Sequence, residues 1–338
     1  MTHALEMCKA FALHTRKHVR YGHAIAQHLR KLGHQLILTT RKHPDTLSVM
    51  NALGEQFKIV GKYDPTSLAS RFRASIEREL QFYEMFKDDK PDIAISHGSV
   101  ELCRTAFALG VQNICTGDTI YTKANWLIVP LADTMLISKA IPKRIYQKYG
   151  AKNVVQFNGV DEVAWIPETG QDNCRKGERA RTRERPLIVV RQSEFRASYM
   201  RGKDVMEGLA KTLASLGTVV FLPRYKKEKV EGVIVREGFV DSLSLVKEAD
   251  LVVGVGGTIG REAALQGTPS IVMSKWRIHV NEFLAKKGFP LYEVTPQEVF
   301  KYAKKYCGKH VNVSEMLAKL ENPVDVIADL VSKVHYDG

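Results

Sequence analysis

The sequence predicts an α/β protein of two doubly wound domains facing each other across a cleft. Three observations carry that prediction. Short apolar runs alternate with helical stretches along a 338-residue chain, long enough for two domains, and that alternation is the pattern of parallel strands joined by crossover helices. The rhythm breaks once, over 161–185, where Pro167, Gly170 and Gly177 accompany Arg175, Lys176, Arg179, Arg181, Arg183 and Arg185, a linker composition. Each half also carries small or polar turns at strand exits, where open parallel sheets place their ligands, and two such halves imply a site between them.

Composition sets the outer bounds. Hydrophobic residues make up 44% and charged residues 26%, ordinary for a globular protein. No apolar run reaches the roughly 18 residues of a membrane span. The start, Met1-Thr2-His3-Ala4-Leu5-Glu6, lacks the apolar core of a secretory signal. The five cysteines (8, 103, 115, 174 and 307) form no CxxC pair, which predicts free thiols in a reducing, cytoplasmic setting. A net charge of +13 suits an anionic partner. No recognition helix, aromatic RNA-binding motif or arginine tail is present, so nucleic acid is not expected. A phosphorylated or membrane-anchored acceptor, with peripheral membrane contact, fits the charge.

In the first half, residues 7–14 read as a strand and Thr15-Arg16-Lys17-His18 as its exit turn. Apolar residues from Val19 to Leu32 recur at helical spacing, with Gly33 closing the helix, and 35–40 is the second strand. A helix over 44–53, a strand at 57–60 and a long amphipathic helix over about 66–89 follow. In that helix Leu68, Phe72, Ile76, Leu80, Tyr83 and Phe86 read as the apolar side, and Arg71, Arg73 and Arg78 as a solvated face. Strands at 91–96, 113–116, 134–138 and 154–157 complete the half, with His97-Gly98-Ser99 and Gly117-Asp118-Thr119 as exit turns.

The second half opens with the strand 186–191, ending in Arg191, and continues with a helix over 203–216 and the strand 218–224, ending in Arg224. Its centre is 249–273: apolar runs at 251–253 and 270–273 flank a glycine-led helix closed by Gly267 and Pro269. In the turn Gly254-Val255-Gly256-Gly257-Thr258, backbone N–H groups and the helix dipole favour an anion such as phosphate. Glu262, one turn into the helix, is suited to accept hydrogen bonds from a ribose diol. The motif lies too late in the chain for a dinucleotide-binding fingerprint at a first strand. The tail from Pro323 carries Val324, Ile327, Ala328, Leu330 and Val331 along one side of a helix. The expected domains are therefore 1–160, a linker 161–185, 186–322, and a closing helix 323–338 that is a candidate to pack back on the first domain.

The string Gly256-Gly257-Thr258-x-x-x-Glu262-Ala263-Ala264-Leu265-x-Gly267-Thr268-Pro269 resembles the donor motif of glycosyltransferase-B-fold proteins, including MurG-type transferases and UDP-GlcNAc 2-epimerases. With Pro91–Ser99, Leu131-Ala132-Asp133 and Leu222-Pro223-Arg224, it resembles a prokaryotic family catalogued as domain of unknown function 354. The resemblance covers most of the chain and is weakest over 161–185. It implies two Rossmann-like domains, a diphosphate held by Gly256, Gly257 and Thr258, and a uridine ribose held by Glu262. The match departs at the first turn, where only His18 agrees, and after the fifth strand, where Asp118 stands as the lone carboxylate.

Eight of the eleven histidines precede residue 98, but none of them falls in a metal-ligand motif. His3, His23, His28, His34 and His43 read as lone exposed histidines. His18 and His97, at strand exits, are the candidate general bases, with Asp118 beside them; Arg191 and Arg224 are candidates to pair with a diphosphate. The first functional reading is a metal-independent glycosyltransferase that takes a UDP-linked sugar as co-substrate and needs no other cofactor. The second is a sugar-nucleotide epimerase, and the third a non-catalytic binder of sugar nucleotides or polyanions.

Overall fold

The computed structural model describes residues 8–13, 16–166, 186–192, 205–224, 229–237, 240–274 and 276–334; the side chains of 8–13, 16, 44 and 45 lie outside that description. So do His3, most of the basic linker (167–185), the loop after Arg191 and the sulfurs of Cys8 and Cys174. The chain forms two compact units, residues 1–165 with 321–338, and residues 166–320.

The first unit alternates strand and helix: β1 Cys8–Leu13, α1 Arg16–Lys31, β2 Gln35–Lys42, α2 Pro44–Leu53, β3 Lys58–Lys62, α3 Leu68–Phe86, β4 Ile93–His97, α4 Val100–Ala108, β5 Gln112–Gly117, α5 Asn125–Ile128, β6 Thr134–Ser138, α6 Lys143–Lys148 and β7 Val154–Phe157. A 3-10 turn, Asp161–Ala164, follows β7. The seven strands form one parallel sheet in the order β3-β2-β1-β4-β5-β6-β7. The second unit holds β8 Leu187–Arg191, α7 Met206–Leu213, β9 Thr218–Leu222, β10 Ile234–Val235, α8 Ser242–Glu248, β11 Leu251–Gly254, α9 Thr258–Leu265, β12 Ser270–Met273, α10 His279–Lys286, β13 Leu291–Val294, α11 Val299–Tyr306 and α12 Ser314–Leu317. Its parallel sheet runs β10-β9-β8-β11-β12-β13. The last helix, α13 Pro323–Ser332, returns to the first unit.

In both sheets the strand order reverses once, between β1 and β4 and between β8 and β11. Crossovers on the two sides of such a point diverge, which leaves the carboxyl ends of those strands open to a ligand. The cores explain why the helices form where they do. Val19, Tyr21, Ile25, Ala26 and Leu29 of α1 meet Val324, Ile327, Ala328 and Val331 of α13 over the β1 side of the sheet. In the second unit Val190, Leu213, Phe221, Val253 and Ile271 centre the larger cluster.

The long helix departs from its expected orientation. α3 carries two stripes at i, i+4 spacing, centred about 120° apart around the helix. Ala74, Arg78, Phe82 and Phe86 face inward and are buried. Leu68, Phe72, Ile76, Leu80 and Tyr83, expected as the packed side along with Phe86, are 80, 65, 48, 58 and 46% exposed. Arg78, expected in solvent, is 1% exposed. Its guanidinium lies 5.2 Å from the Phe82 ring centroid and donates to Glu101 Oε2 at 3.5 Å. Its stem passes over Gly61, at φ +74°, where a Cβ would meet Arg78 Cβ and Cγ at 2.8 Å. Gly61→Ala is therefore expected to cost about 1–3 kcal/mol, from a strained backbone and a displaced buried arginine. A denaturant midpoint falling at constant slope would register it.

Candidate functional site

The first unit gathers its chemistry at the reversal of its sheet. α1 begins with Arg16, Lys17 and His18 and has no acid in its first turn. Positive side chains at the positive end of a helix dipole are unfavourable alone, and carboxylates offset them here. Lys17 Nζ lies 2.5 Å from Asp118 Oδ2, 2.8 Å from Asp161 Oδ2 and 3.8 Å from Glu162 Oε1, with its side chain 9% exposed. The Lys17 and His18 positions, expected in a turn, are helical: the strand exit is shorter, and α1 starts at Arg16.

Three strand exits deliver the partners. His97 ends β4, Asp118 follows β5 and Asp161 follows β7. His97 Nδ1 is 2.6 Å from Thr116 Oγ1, which fixes the ring. His97 Nε2 lies 3.7 Å from Asp118 Oδ1, and its Nδ1 lies 3.9 Å from Asp161 Oδ2. The Asp118 turn is pinned behind, where Tyr146 Oη and Asn125 Nδ2 donate to the Thr119 carbonyl at 3.3 and 3.1 Å. The Asp161 turn is pinned by Ser138 Oγ donating to the Gly159 carbonyl at 2.5 Å and by the Asn158 N–H donating to the Glu321 carboxylate. The rings of His18 and His97 meet edge to face at 4.4 Å, and those of Tyr21 and His97 do so at 5.8 Å. The Tyr21 hydroxyl is buried without a hydrogen-bond partner among the described residues. Burial, then Asp161 and Glu162, push its pKa well above the usual value, so it stays a proton donor.

Burial, then the neighbouring His97 and Lys17, hold the His18 pKa well below the ordinary histidine value, so its imidazole is neutral at pH 7. The unfolded chain binds more protons at this residue once pH drops below about 6.5, so stability falls with pH from there down to the lower folded-state value. His18→Asn is expected to flatten that acid limb of a melting-temperature profile while leaving pH 8 behaviour nearly unchanged.

The sequence-predicted His18, His97 and Asp118 thus lie together. Lys17, Asp161 and Glu162 were missed. Lys17 read as part of a polar turn, and 161–162 fell inside the expected linker, although Asp161 and Glu162 are 5 and 1% exposed. Asn158-Gly159-Val160-Asp161 is the exit of the half's last strand, and the strand-exit rule that singled out His97 and Asp118 applies equally to it. Asp118 is the carboxylate that follows β5, as expected from the sequence, and the further acids of the cluster come from after β7. His23 and His43 are also not the lone exposed residues expected: His23 Nδ1 is 2.8 Å from Glu55 Oε2, and His43 packs on Tyr63 at 5.2 Å. His97, Asp118 and Asp161 each offer a ligand atom within 4.8 Å of the others, close enough for one metal ion. The Lys17 ammonium, within 2.8 Å of both aspartates, supplies a positive charge there from the chain itself.

In the second unit β8 and β11 end side by side, with Val190 opposite Val253. The turn after β11 takes Gly256 at φ +60° and Gly257 at φ +90° into α9, conformations that a side chain resists. Arg191 lies against Gly254, and its Nη1 donates to the Leu222 and Pro223 carbonyls at 3.4 and 3.3 Å. Arg224, at the β9 exit, is exposed, and its backbone N–H donates to Gln192 Oε1 at 2.7 Å. Arg191, Arg224 and Gly256–Thr258 therefore sit on three adjacent strand exits. Glu262 is 2% exposed and accepts from Ser242 Oγ at 3.1 Å, bridging α9 to α8. Cys103 and Cys115 are free and buried, and Cys307 is free and half-buried. Among the described residues no helix is long and apolar enough to cross a membrane.

Two parallel sheets, each reversing its strand order once, define the glycosyltransferase-B class of fold, built from two Rossmann-like domains. Solved structures of that class match closely in fold. UDP-GlcNAc 2-epimerase of Methanocaldococcus jannaschii, in complex with UDP-GlcNAc and UDP, aligns with a TM-score of 0.72 at 14% identity, over 97% of this chain and 100% of that one. The glycosyltransferase SsfS6 of Streptomyces sp. SF2575 aligns with a TM-score of 0.60 at 15% identity, over 97% and 100%. The chain itself belongs to the family described as protein of unknown function (DUF354), which it matches over residues 11–335. An uncharacterized protein of Methanocaldococcus jannaschii is 28% identical over 329 residues, covering 93% of this chain and 94% of that protein.

Proposed function

We propose that this protein is an enzyme acting on a nucleotide-linked sugar, and that its chemistry is proton transfer of the epimerase kind. The observation that carries this reading is the convergence of His97, Asp118, Asp161 and Lys17 at one sheet reversal. Inverting a sugar carbon that bears hydrogen needs a base to take the proton and an acid to return one from the other face, held on a fixed frame. Transfer to an acceptor hydroxyl needs one base. A buried set of two carboxylates, an imidazole and an ammonium offers more than one proton-carrying group, and Tyr21 adds a fourth type. The donor's diphosphate is assigned to the Gly256–Thr258 amides with Arg191 and Arg224, and its ribose to Glu262. The UDP-GlcNAc complex of the Methanocaldococcus jannaschii epimerase, a protein of the same fold, supports a UDP-sugar as the first substrate to try. Lys17 is the positive charge that this reaction uses in place of a metal.

Glycosyl transfer is the second reading, favoured by one observation: the His18 ring meets His97 edge to face at 4.4 Å, so two imidazoles stand at the reversal and one base suffices for an acceptor hydroxyl. Incubating the protein with UDP-sugars in D2O decides between them. Epimerisation places deuterium on the inverted carbon with no acceptor present; transfer leaves the sugar unlabelled and releases UDP only when an acceptor is added. A binder raises the melting temperature with neither product.

The ribose assignment has its own measurement. Glu262→Gln keeps the Ser242 hydrogen bond but loses the charge, and Glu262→Ala loses both. Both are expected to weaken UDP binding about 10-fold or more in calorimetry, since a charged hydrogen bond is worth about 1.5–3 kcal/mol. Unchanged UDP affinity in Glu262→Gln would confine Glu262 to bridging α8 and α9.

A further inference from the structure

The outward stripe of α3 is exposed along its length. Leu68, Phe72, Ile76, Leu80 and Tyr83 account for five of the large apolar side chains exposed among the described residues, and they lie on one 19-residue helix. A solvated helix face is polar; a stripe of this kind marks an interaction surface. We propose that this face joins two copies of the chain, α3 packing antiparallel on α3 about a two-fold axis near Ile76.

Charge points to a second copy rather than another occupant. The N-terminal half of α3 holds Arg71 and Arg73 and no acid, whereas Glu77, Glu79 and Glu84 lie with the buried Arg78 in its C-terminal half, and Lys87, Asp88, Asp89 and Lys90 follow it, so the exposed charge is basic at one end and net acidic at the other. This order runs against the helix dipole, which favours acids first and bases last. Within the chain it is therefore a cost, offset locally by the Arg73–Glu77, Arg104–Glu79 and Lys87–Glu84 pairs. Antiparallel pairing places the arginines of one copy beside the glutamates of the other and opposes the two dipoles. A two-fold interface is self-complementary, and a helix basic at one end and acidic at the other meets that condition. The acids disfavour the alternative of an anionic membrane surface. The five side chains expose on the order of 500 Å², so two copies cover about 1,000 Å² before flanking residues are counted, the lower bound for a specific interface. The inference is independent of the reaction assigned to the sheet ends.

Light scattering of the full chain at about 10–100 µM, where interfaces of this size associate, is expected to give twice the 38.0 kDa chain mass. Phe72→Glu and Leu80→Glu, both at exposed positions, should each return it to the single-chain mass with the circular-dichroism spectrum of the folded chain retained. R71E/R73E should weaken association, and adding E79R/E84R should restore it, because only self-pairing couples those positions. A wild type that stays monomeric at 100 µM overturns the proposal. So does a dimer indifferent to both glutamate substitutions, or a monomer that co-floats with phosphatidylglycerol vesicles through Phe72.

Discussion

Replacing Lys17 with methionine should lower the stability of the first unit by about 3–5 kcal/mol, the range for removing one member of a buried ion pair. The substitution keeps most of the apolar stem and deletes the ammonium, leaving Asp118, Asp161 and Glu162 facing one another with side chains 22, 4 and 1% exposed. Melting temperatures of wild type and variant at pH 7 measure this. A second arm uses the ligand spacing of His97, Asp118 and Asp161. With the lysine gone, Zn2+ or Mn2+ has a vacated positive site, and adding either ion should recover part of the lost melting temperature in Lys17→Met but not in Lys17→Met/Asp161→Asn. Equal stability of Lys17→Met and wild type at pH 7 would show that the lysine carries no charge balance.

The second large effect is kinetic. On a UDP-sugar that the wild type turns over, Asp161→Asn should reduce kcat by about 10²–10⁴, the span of a general acid–base group. KM should move little, because the assigned donor contacts lie in the other unit. Asn keeps the shape and hydrogen-bonding reach of Asp and removes its capacity to take a proton. A KM rise with kcat intact would instead make Asp161 a binding group. His97→Gln should behave alike, and the double variant should lose far less than the product of the two, as members of one proton-transfer unit do.

How much of this could be read in advance differs residue by residue. The two doubly wound units were legible because strand-helix alternation is local: runs such as Ile93–Ser96 and Leu251–Val253 declare themselves within a few residues. His97 and Asp118 were legible because both stand immediately after such runs. Asp161 and Glu162 were not, since the linker's composition, dense in arginine only beyond residue 174, masked the strand exit that precedes it. Lys17 was not because a lysine near a turn is ordinarily solvated, and only tertiary contacts place carboxylates around it. α3 illustrates a limit of periodicity itself. Two neighbouring i, i+4 stripes compete in the sequence, and the one holding an arginine is the one the fold buries. The expected ribose contact at Glu262 meets a similar limit, for its spacing says nothing of the Ser242 hydroxyl that already holds it.

The final helix carries a consequence for how the chain comes to be made. Val324, Ile327, Ala328 and Val331 complete a core whose other members, such as Val19 and Leu29, are translated about 300 residues earlier. The second unit, contiguous in sequence, is free to finish first. The earliest-synthesised unit must wait on the ribosome with one wall of its interior open, so its nascent form is the aggregation-prone species and a natural client for a chaperone. Assembly order thus inverts sequence order, and a helix made after the whole second unit is the one that seals the first.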